Sequence, residues 1–384
     1  MRESATPGDM QYLLRHLDHT IFRFRVKLKA HSPIDSVEQA VIDYLQSHPG
    51  ATVNAVRADV PPLPEESYSY ARDLLARMVD AGVLELDGQS PLEEVDGRYE
   101  RVPSCDLCGA PSDGHTIVLW KHNTPVVRCS ACGLLYSNPR WKAEHLFGRY
   151  TEEYWQHYTD SVRDTAFDPL LNEARWRNYL SYLDLVRQTG RLLDVGCATG
   201  EFLAAARSRG WETHGVETSR VAASRAEEIA GAQVHVGTLD TAQYPDGWFD
   251  AVTLWDVIEH VQSPSSYVAR IQRLVRPGGI FALTTPNIRS VSYALLRRHW
   301  WVVGPNDHIY YFAPRTMARL LTKHDFAIHQ MHTLETKPET WQQWLRYPAL
   351  QWLAPILSKV ATPFLNRFLL GDELFVIARR KPYK

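Results

Sequence analysis

The sequence has no apolar run long enough to cross a bilayer. A membrane helix needs roughly 20 consecutive apolar residues, and the nearest stretch, 347–370, is broken by Pro348, Lys359, Pro363 and Arg367. Met1–Met10 is polar and lacks the apolar core of a secretory signal, so a cytoplasmic protein without a membrane span is expected. An excess of positive charge is also missing: 42 Lys and Arg face 44 Asp and Glu, a formal net charge of −2. That balance argues against nucleic acid held by bulk charge. Cysteine is scarce, with five in 384 residues, and four of these fall into two close pairs. In a chain without a signal segment such pairs read as a metal site rather than as disulfides. What is plentiful is apolar. Hydrophobic residues make up 45% and charged residues 22%, which supports a sizeable core in two or three domains.

The chain reads in four parts. Residues 1–33 hold a short helical pattern (Met10, Leu13, Leu14, Leu17) and then a stretch, Phe22–Lys29, in which basic and apolar side chains alternate as in a half-exposed strand. Residues 34–102 read as a small winged-helix-like domain. Asp35 or Ser36 caps a helix bearing Val37, Val41, Tyr44 and Leu45, and His48-Pro49-Gly50 ends it. Ala51–Val56 gives a second helix. Glu65–Ala81 gives a third, with Tyr70, Leu74, Leu75 and Met78 on one face and Gly82 as its C-cap. Val83–Leu86 and Gly97–Val102 are expected to pair as the wing. The third helix opens with Glu65-Glu66 and carries only Arg72 and Arg77 as cations, which favours a protein partner or a structural role over phosphate contact.

Residues 103–140 hold Cys105-Asp-Leu-Cys108-Gly109 and Cys129-Ser-Ala-Cys132-Gly133, two C-x2-C pairs separated by twenty residues. Two such knuckles place four thiolates tetrahedrally around Zn²⁺, and the glycine after each pair eases the tight turn. Four sulfurs close the site, so a structural zinc ribbon is expected, with Val126–Arg128 and Leu134–Tyr136 as its strands. A redox role for either pair lacks the βαβ context it needs.

Residues 141–384 alternate strands and helices as a doubly wound α/β sheet requires. A helical lead-in, Trp141–Arg187, comes first. Arg191-Leu-Leu-Asp-Val-Gly-Cys-Ala-Thr-Gly200 is an apolar strand ending in a small-residue turn before the helical Glu201–Ser208. Gly196, Ala198 and Gly200 let backbone approach a ligand. The next strand, Glu212–Val216, runs into Glu217, twenty-three residues after Asp194, where a carboxylate can take both ribose hydroxyls. Val234–Val236, followed by Gly237–Asp240, and Phe249–Asp256 are the third and fourth strands. Arg276-Pro-Gly-Gly279 turns into the fifth, Ile280–Thr284. A nicotinamide dehydrogenase would show G-x-G-x-x-G, which Gly196-Cys-Ala-Thr-Gly200 does not fit.

This set of motifs resembles the class I S-adenosylmethionine (SAM)-dependent methyltransferases, in particular the group typified by the ubiquinone-pathway O-methyltransferases. The resemblance covers about residues 188–330 and the last strand, Glu373–Arg379. It implies a seven-stranded Rossmann-like sheet in which Asp194, Gly196, Cys197, Ala198 and Gly200 wrap the methionine part of SAM. Asp194 then faces the amino group, Glu217 the ribose, Thr238 and Leu239 the adenine, with Trp255 and Asp256 completing the cofactor site. Ala198 departs from the family's glycine. Thr238 departs from its usual acid, for which Asp240 is the substitute.

The acceptor end is sought after the fourth strand, in Trp255-Asp256-Val-Ile-Glu259-His260. Asp256, Glu259 and His260, at i, i+3 and i+4, would share one helical face. Three readings stand. Asp256 and Glu259 form a helix-capping box; His260 or His308 is a general base; or Asp256, Glu259, His260 and His308 bind a second, divalent metal that orients a diol. The last is implied by a similar acid-x-x-Glu-His set in ubiquinone-pathway and small-RNA 2′-O-methyltransferases. An Asn/Asp-Pro-Pro-aromatic motif is absent, which disfavours methylation of base amines. Trp300, Trp301, His308, Tyr310 and Tyr311 are available to wall a pocket, with core packing claiming at least two of them. An insertion at about 338–370, rich in Trp341, Trp344, Tyr347, Trp352, Phe364 and Phe368, offers a lid, a dimer face or a lipid-like surface.

The expectation is a SAM-dependent methyltransferase acting by O- or C-methylation on a small-molecule or carbohydrate acceptor. The alternatives are an RNA methyltransferase that uses ribbon and winged helix to hold substrate, and a SAM-binding scaffold without turnover.

Overall fold

The computed structural model describes residues 22–26, 36–48, 56, 78, 84–89, 98–121, 124–147, 169–186, 189–334 and 364–382. Contacts divide the chain into two units. One comprises residues 1–102, 117–126 and 137–141, and the other residues 103–116, 127–136 and 142–384. All four paired cysteines therefore group with the α/β sheet.

In the first unit the expected helix is present as Ser36–Ser47. Val41, Ile42 and Leu45 are buried on one face. The expected wing is not formed. Strand β1 (Phe22–Val26) pairs antiparallel with β2 (Leu84–Gln89), so Leu84–Leu86 is taken by the N-terminal segment. Strand β3 (Tyr99–Glu100) pairs with β7 (Arg140–Trp141), where Arg140 Nε donates to Glu100 Oε1 at 3.0 Å. The alternating pattern announced strands correctly and carried no information on partners. Val56 and Met78 are helical and buried, while the rest of the two further helices, Ala51–Val56 and Glu65–Ala81, lies outside the described residues.

Strands β4 (Thr116–Lys121) and β5 (Thr124–Arg128) lie between the two cysteine pairs, and β6 (Leu135–Ser137) follows the second. The second unit is built on strands β8 (Arg191–Val195), β9 (Glu212–Glu217), β10 (Gln233–Val236), β11 (Phe249–Trp255), β12 (Val275–Pro286), β14 (Phe326–Leu334) and β15 (Glu373–Arg380). The short β13 (Tyr310–Tyr311) lies outside this sheet and pairs with β6. The sheet order is β10-β9-β8-β11-β12-β15-β14, or 3-2-1-4-5-7-6 counted within the unit. All pairs are parallel except those of β15, which runs antiparallel to both neighbours. The Arg276–Gly279 turn is absorbed into β12 as an irregularity: register passes from Phe249↔Val275 to Ala251↔Ile280.

The order reverses between β8 and β11, and in open α/β sheets ligands bind outside the carboxyl ends of the strands at such a switch point. Both strands end there on buried apolar residues, Val195 and Trp255. The helix Pro169–Asp184 packs Tyr179, Leu180 and Leu183 against Phe202, Trp255 and Phe375. The helix Arg220–Ala230, capped by Ser219, buries Ala222, Ala223 and Ala226, and Ala226 lies against the first turn. A Cβ on Gly200 would sit 2.6 Å from Ala226 Cα, so glycine is required for this helix to lie so close. Ala198, by contrast, holds a left-handed backbone (φ 49°) with a side chain. That conformation costs an L-residue roughly 1–2 kcal/mol. Ala198→Gly is therefore expected to raise stability by about 0.5–1 kcal/mol in chemical denaturation, after allowing for the added freedom of the unfolded chain.

Candidate active site

At the carboxyl ends of β8, β9 and β11 lies a cavity of about 680 Å³, inside the roughly 300–1,000 Å³ typical of small-ligand sites. Of the residues expected at the cofactor, Asp194, Gly196, Cys197, Ala198, Glu217, Thr238, Trp255 and Asp256 line it. His260 and His308 line it as well, and so does Asp240. Gly200 and Leu239 do not. Gly200 serves the helix contact just described, and Leu239 is fully buried in the core.

Two buried carboxylates define one end. Asp194 leaves β8 and accepts from Thr253 Oγ1 at 2.7 Å. Burial, with Glu217 nearby, pushes its carboxyl up to about 8. Glu217 ends β9. Its Oε2 accepts from Ala198 N at 3.0 Å and its Oε1 from Ser219 N at 2.9 Å. Burial raises it too, and these N–H groups hold it down in part. A carboxyl raised in the fold keeps a proton that the unfolded chain has released. Its contribution to stability is complete below the ordinary value and disappears as pH rises through the shifted one. The melting temperature of the ligand-free protein is therefore expected to fall from about pH 4 to about pH 8 and to level off above that, where Asp194 ionises in the fold.

The segment after β11 departs from expectation. Residues 256–263 form turns, and the helix begins only at Pro264 with Ser263 as its N-cap. The capping-box reading of Asp256 and Glu259 is therefore corrected, and so is their shared helical face. The cause lies at Asp256, whose backbone is left-handed (φ 55°). Its N donates to Thr284 Oγ1 at 3.1 Å, its Oδ1 accepts from the same hydroxyl at 2.9 Å, and its Oδ2 accepts from Arg175 at 2.7 Å. Several bonds holding one sparsely populated conformation are the mark of an over-determined functional turn.

That turn separates Asp256 from its neighbours in sequence. Glu259, His260 and His308 converge, with one ligand atom of each within 4.8 Å of the others, and Asp256 is not among them. Glu259 is buried. Its Oε2 accepts from Thr285 Oγ1 at 3.0 Å, and its Oε1 has no hydrogen-bond partner among the described residues. His260 Nδ1 meets Asp307 O at 2.9 Å, and His308 Nδ1 meets Val302 O at 2.7 Å. A carbonyl only accepts, so each Nδ1 carries hydrogen, and each neutral ring keeps its lone pair on Nε2. Burial and the neighbouring His260 push His308 down to about 4, which leaves it neutral. Burial opposes charge on His260 as well, but Asp307 and Glu259 outweigh it and lift that ring to about 9, so near pH 7 it carries a second proton on Nε2 that a cation bound there would have to displace.

Of the aromatic residues expected to wall a pocket, Trp300, Tyr310 and Tyr311 are buried in the core and Trp301 is half exposed; only His308 of that group reaches the cavity. Trp341, Trp344, Tyr347 and Trp352 lie outside the described residues, whereas Phe364 and Phe368 are exposed, their rings 4.8 Å apart. Arg175, Trp176 and Tyr267 line the cavity without having been marked in the sequence. Arg175 bridges Asp256 and Glu373 from a helix eighty residues upstream, and nothing local distinguishes it from other arginines.

The four paired cysteines also converge. Cys105 and Cys132 Sγ are 3.6 Å apart and Cys108 and Cys129 Sγ 3.5 Å, close to the roughly 3.8 Å edge of a tetrahedron with 2.3 Å zinc–sulfur bonds.

The strand order is that of the Rossmann-like sheet of class I SAM-dependent methyltransferases. Within that class, residues 168–331 match the methyltransferase-domain family. Similar curated proteins include the ubiquinone biosynthesis O-methyltransferase of Alkalilimnicola ehrlichii, 32% identical over 38% of this chain and 65% of that one. That of Methylococcus capsulatus is 28% identical over 62% of this chain and 93% of its own length. The chain thus spans just under two thirds of the first relative and nearly all of the second. Among solved structures, a SAM-dependent methyltransferase from Mesorhizobium loti is 18% identical over 52% of this chain and 96% of that one, with a TM-score of 0.38. No helix among the described residues is long and apolar enough to cross a membrane.

Proposed function

We propose that the protein transfers the methyl group of SAM to a hydroxyl of a small-molecule acceptor held against Glu259, His260 and His308. The convergence of those three side chains, of which His260 and His308 line the cofactor cavity and Glu259 lies buried behind them, carries this reading. The relatives' activity as O-methyltransferases supports an oxygen acceptor over carbon.

SAM fits the cavity by charge. Its ammonium and sulfonium are cationic, and the cavity presents two buried carboxyl groups, Asp194 and Glu217, each destabilised by burial. A cation beside Asp194 restores its ionised form. Saturating SAM is therefore expected to flatten the fall in melting temperature with pH and to release protons on binding near pH 7. Calorimetry in two buffers of different ionisation enthalpy measures that release.

SAM brings an activated methyl, so the chain's task is alignment of the acceptor oxygen and removal of its proton. Two imidazole nitrogens and an orphaned carboxylate oxygen are a donor set suited to a divalent cation, each braced from behind by Asp307, Val302 or Thr285. Such an ion would polarise an acceptor hydroxyl. Asp256, tied to Arg175 and Thr284, fixes the turn that aims this set. The four cysteines hold a structural zinc, in keeping with their spacing and their sulfur separations. Transfer of label from methyl-labelled SAM to small catechols and alcohols, before and after EDTA, tests the assignment. Activity lost to EDTA and restored by Mg²⁺ or Mn²⁺ supports the metal. EDTA-insensitive transfer that still depends on His308 makes that ring the base instead.

A further inference from the structure

The two loops that carry Glu259, His260 and His308 are both gripped by the cysteine ribbon. The first loop ends at Ser263, the cap of the helix Pro264–Leu274. Asp106, between Cys105 and Cys108, reaches that cap. Its Oδ1 accepts from Ser263 Oγ at 2.5 Å and its Oδ2 from Ser265 N at 2.7 Å. Lys323 ties the same point, donating from Nζ to Leu107 O at 3.1 Å and to Ser265 Oγ at 2.7 Å. The second loop leaves His308 for β13, whose Tyr310 and Tyr311 pair with Tyr136 and Leu135 of β6, three residues beyond Cys132. Tyr136 and Tyr310 stack with centroids 5.9 Å apart. The loops also hold each other, since Ile309 N and Tyr310 N donate to Glu259 O at 2.9 and 3.1 Å.

A carboxylate on the first N–H groups of a helix satisfies donors that the helix itself leaves open and complements its dipole. Here the carboxylate comes from a metal knuckle. Cys105 N donates to Ala110 O at 2.8 Å and Gly109 N to Cys105 O at 2.7 Å, so closure of the four sulfurs on an ion fixes the backbone that presents Asp106. The cap in turn fixes where the loop 256–263 ends. Neither contact involves the SAM half of the cavity.

We propose that Asp106 is a positioning residue for the acceptor half of the site, and that the cysteine ribbon serves methyl transfer by holding both acceptor loops through Asp106 and Tyr136. This rests on the reading of Glu259, His260 and His308 as the acceptor end. It gives the ribbon a role within the catalytic unit and requires no macromolecular ligand.

The test uses the full chain loaded with zinc, as Asp106→Ala, Asp106→Asn and Lys323→Met, with metal content measured on each. Hydrogen exchange is followed at 257–266 and 304–311, and at 192–195 and 213–216 as the cofactor-side reference. SAM affinity is read by calorimetry. Asp106→Ala is expected to keep its zinc and its SAM affinity within about two-fold, while exchange at 257–266 quickens by roughly ten-fold or more. Asp106→Asn, which retains one acceptor oxygen, is expected to recover part of that protection. Lys323→Met, which keeps every side chain of the knuckle but removes the bonds from Nζ to Leu107 O and Ser265 Oγ, loosens the same peptide. The proposal is overturned if Asp106→Ala shows wild-type exchange at 257–266. It is equally overturned if all four peptides loosen together, or if zinc is lost with the side chain, since Asp106 would then serve only the fold of the ribbon. Should Asp106→Ala fail to fold, the asparagine and Lys323 variants decide on the same criteria. Exchange is read without any acceptor, so an error in the assigned chemistry leaves this result standing on its own.

Discussion

Glu217→Ala is expected to weaken SAM binding by about 100-fold or more, because two charge-assisted hydrogen bonds at roughly 1.5–3 kcal/mol each are lost together. The side chain ends β9 in a buried position facing the cavity. Its oxygens already accept from Ala198 N and Ser219 N, so both are aimed and held before a ligand arrives. Thr218 Oγ1 also donates to Oε1 at 3.2 Å; a carboxylate offers about four lone-pair sites, so a ribose diol takes the site left open and the one this rotatable hydroxyl gives up. Glu217→Gln keeps the shape but presents an amide in place of one oxygen, and is expected to fall between wild type and alanine. Calorimetric titration with SAM measures both. A Glu217→Ala protein that binds SAM as well as wild type would remove the ribose assignment, and with it the strongest single mark of the cofactor site.

His308→Ala is expected to reduce methyl transfer by about 100-fold or more while leaving SAM affinity within about two-fold. Both halves of that outcome follow from position. The ring is half-buried, its Nδ1 is committed to Val302 O, and it converges with Glu259 and His260. Among the described residues no hydrogen bond joins it to Asp194 or Glu217. The same split applies whether the ring binds a cation or takes the acceptor's proton. Asp256→Ala is a contrasting case. Asp256 is bound to Arg175 and Thr284 and holds a strained backbone, so its loss disturbs the turn as a whole. A fall in SAM affinity equal to the fall in rate for His308→Ala would place that residue in the cofactor site instead.

The switch-point end of the cavity was legible because its signals are local. A strand, a small-residue turn and an acid at fixed spacing are contiguous facts, and Asp194, Gly196, Ala198 and Glu217 fall where the pattern puts them. The ribbon's cysteines were legible for the same reason. The acceptor half was not, because its geometry depends on one backbone angle. Asp256, Glu259 and His260 have the spacing of a helix face, and only the left-handed turn at Asp256, held by Thr284 and Arg175, sends Asp256 one way and Glu259 with His260 the other. Pairing partners were likewise hidden: β2 and β3 looked like two strands of one hairpin and pair instead with β1 and β7. Tyr310 and Tyr311 carried the composition of a pocket wall and went into the core, drawn there by β6.

Incubation of wild-type and His308→Ala protein with methyl-labelled SAM and a fractionated cell extract asks whether a methyl group passes from SAM to a small acceptor at Glu259, His260 and His308. The label should appear in a low-mass product with wild type, and fall by about 100-fold with the variant. Label recovered in RNA, in protein, or equally with both proteins would contradict it.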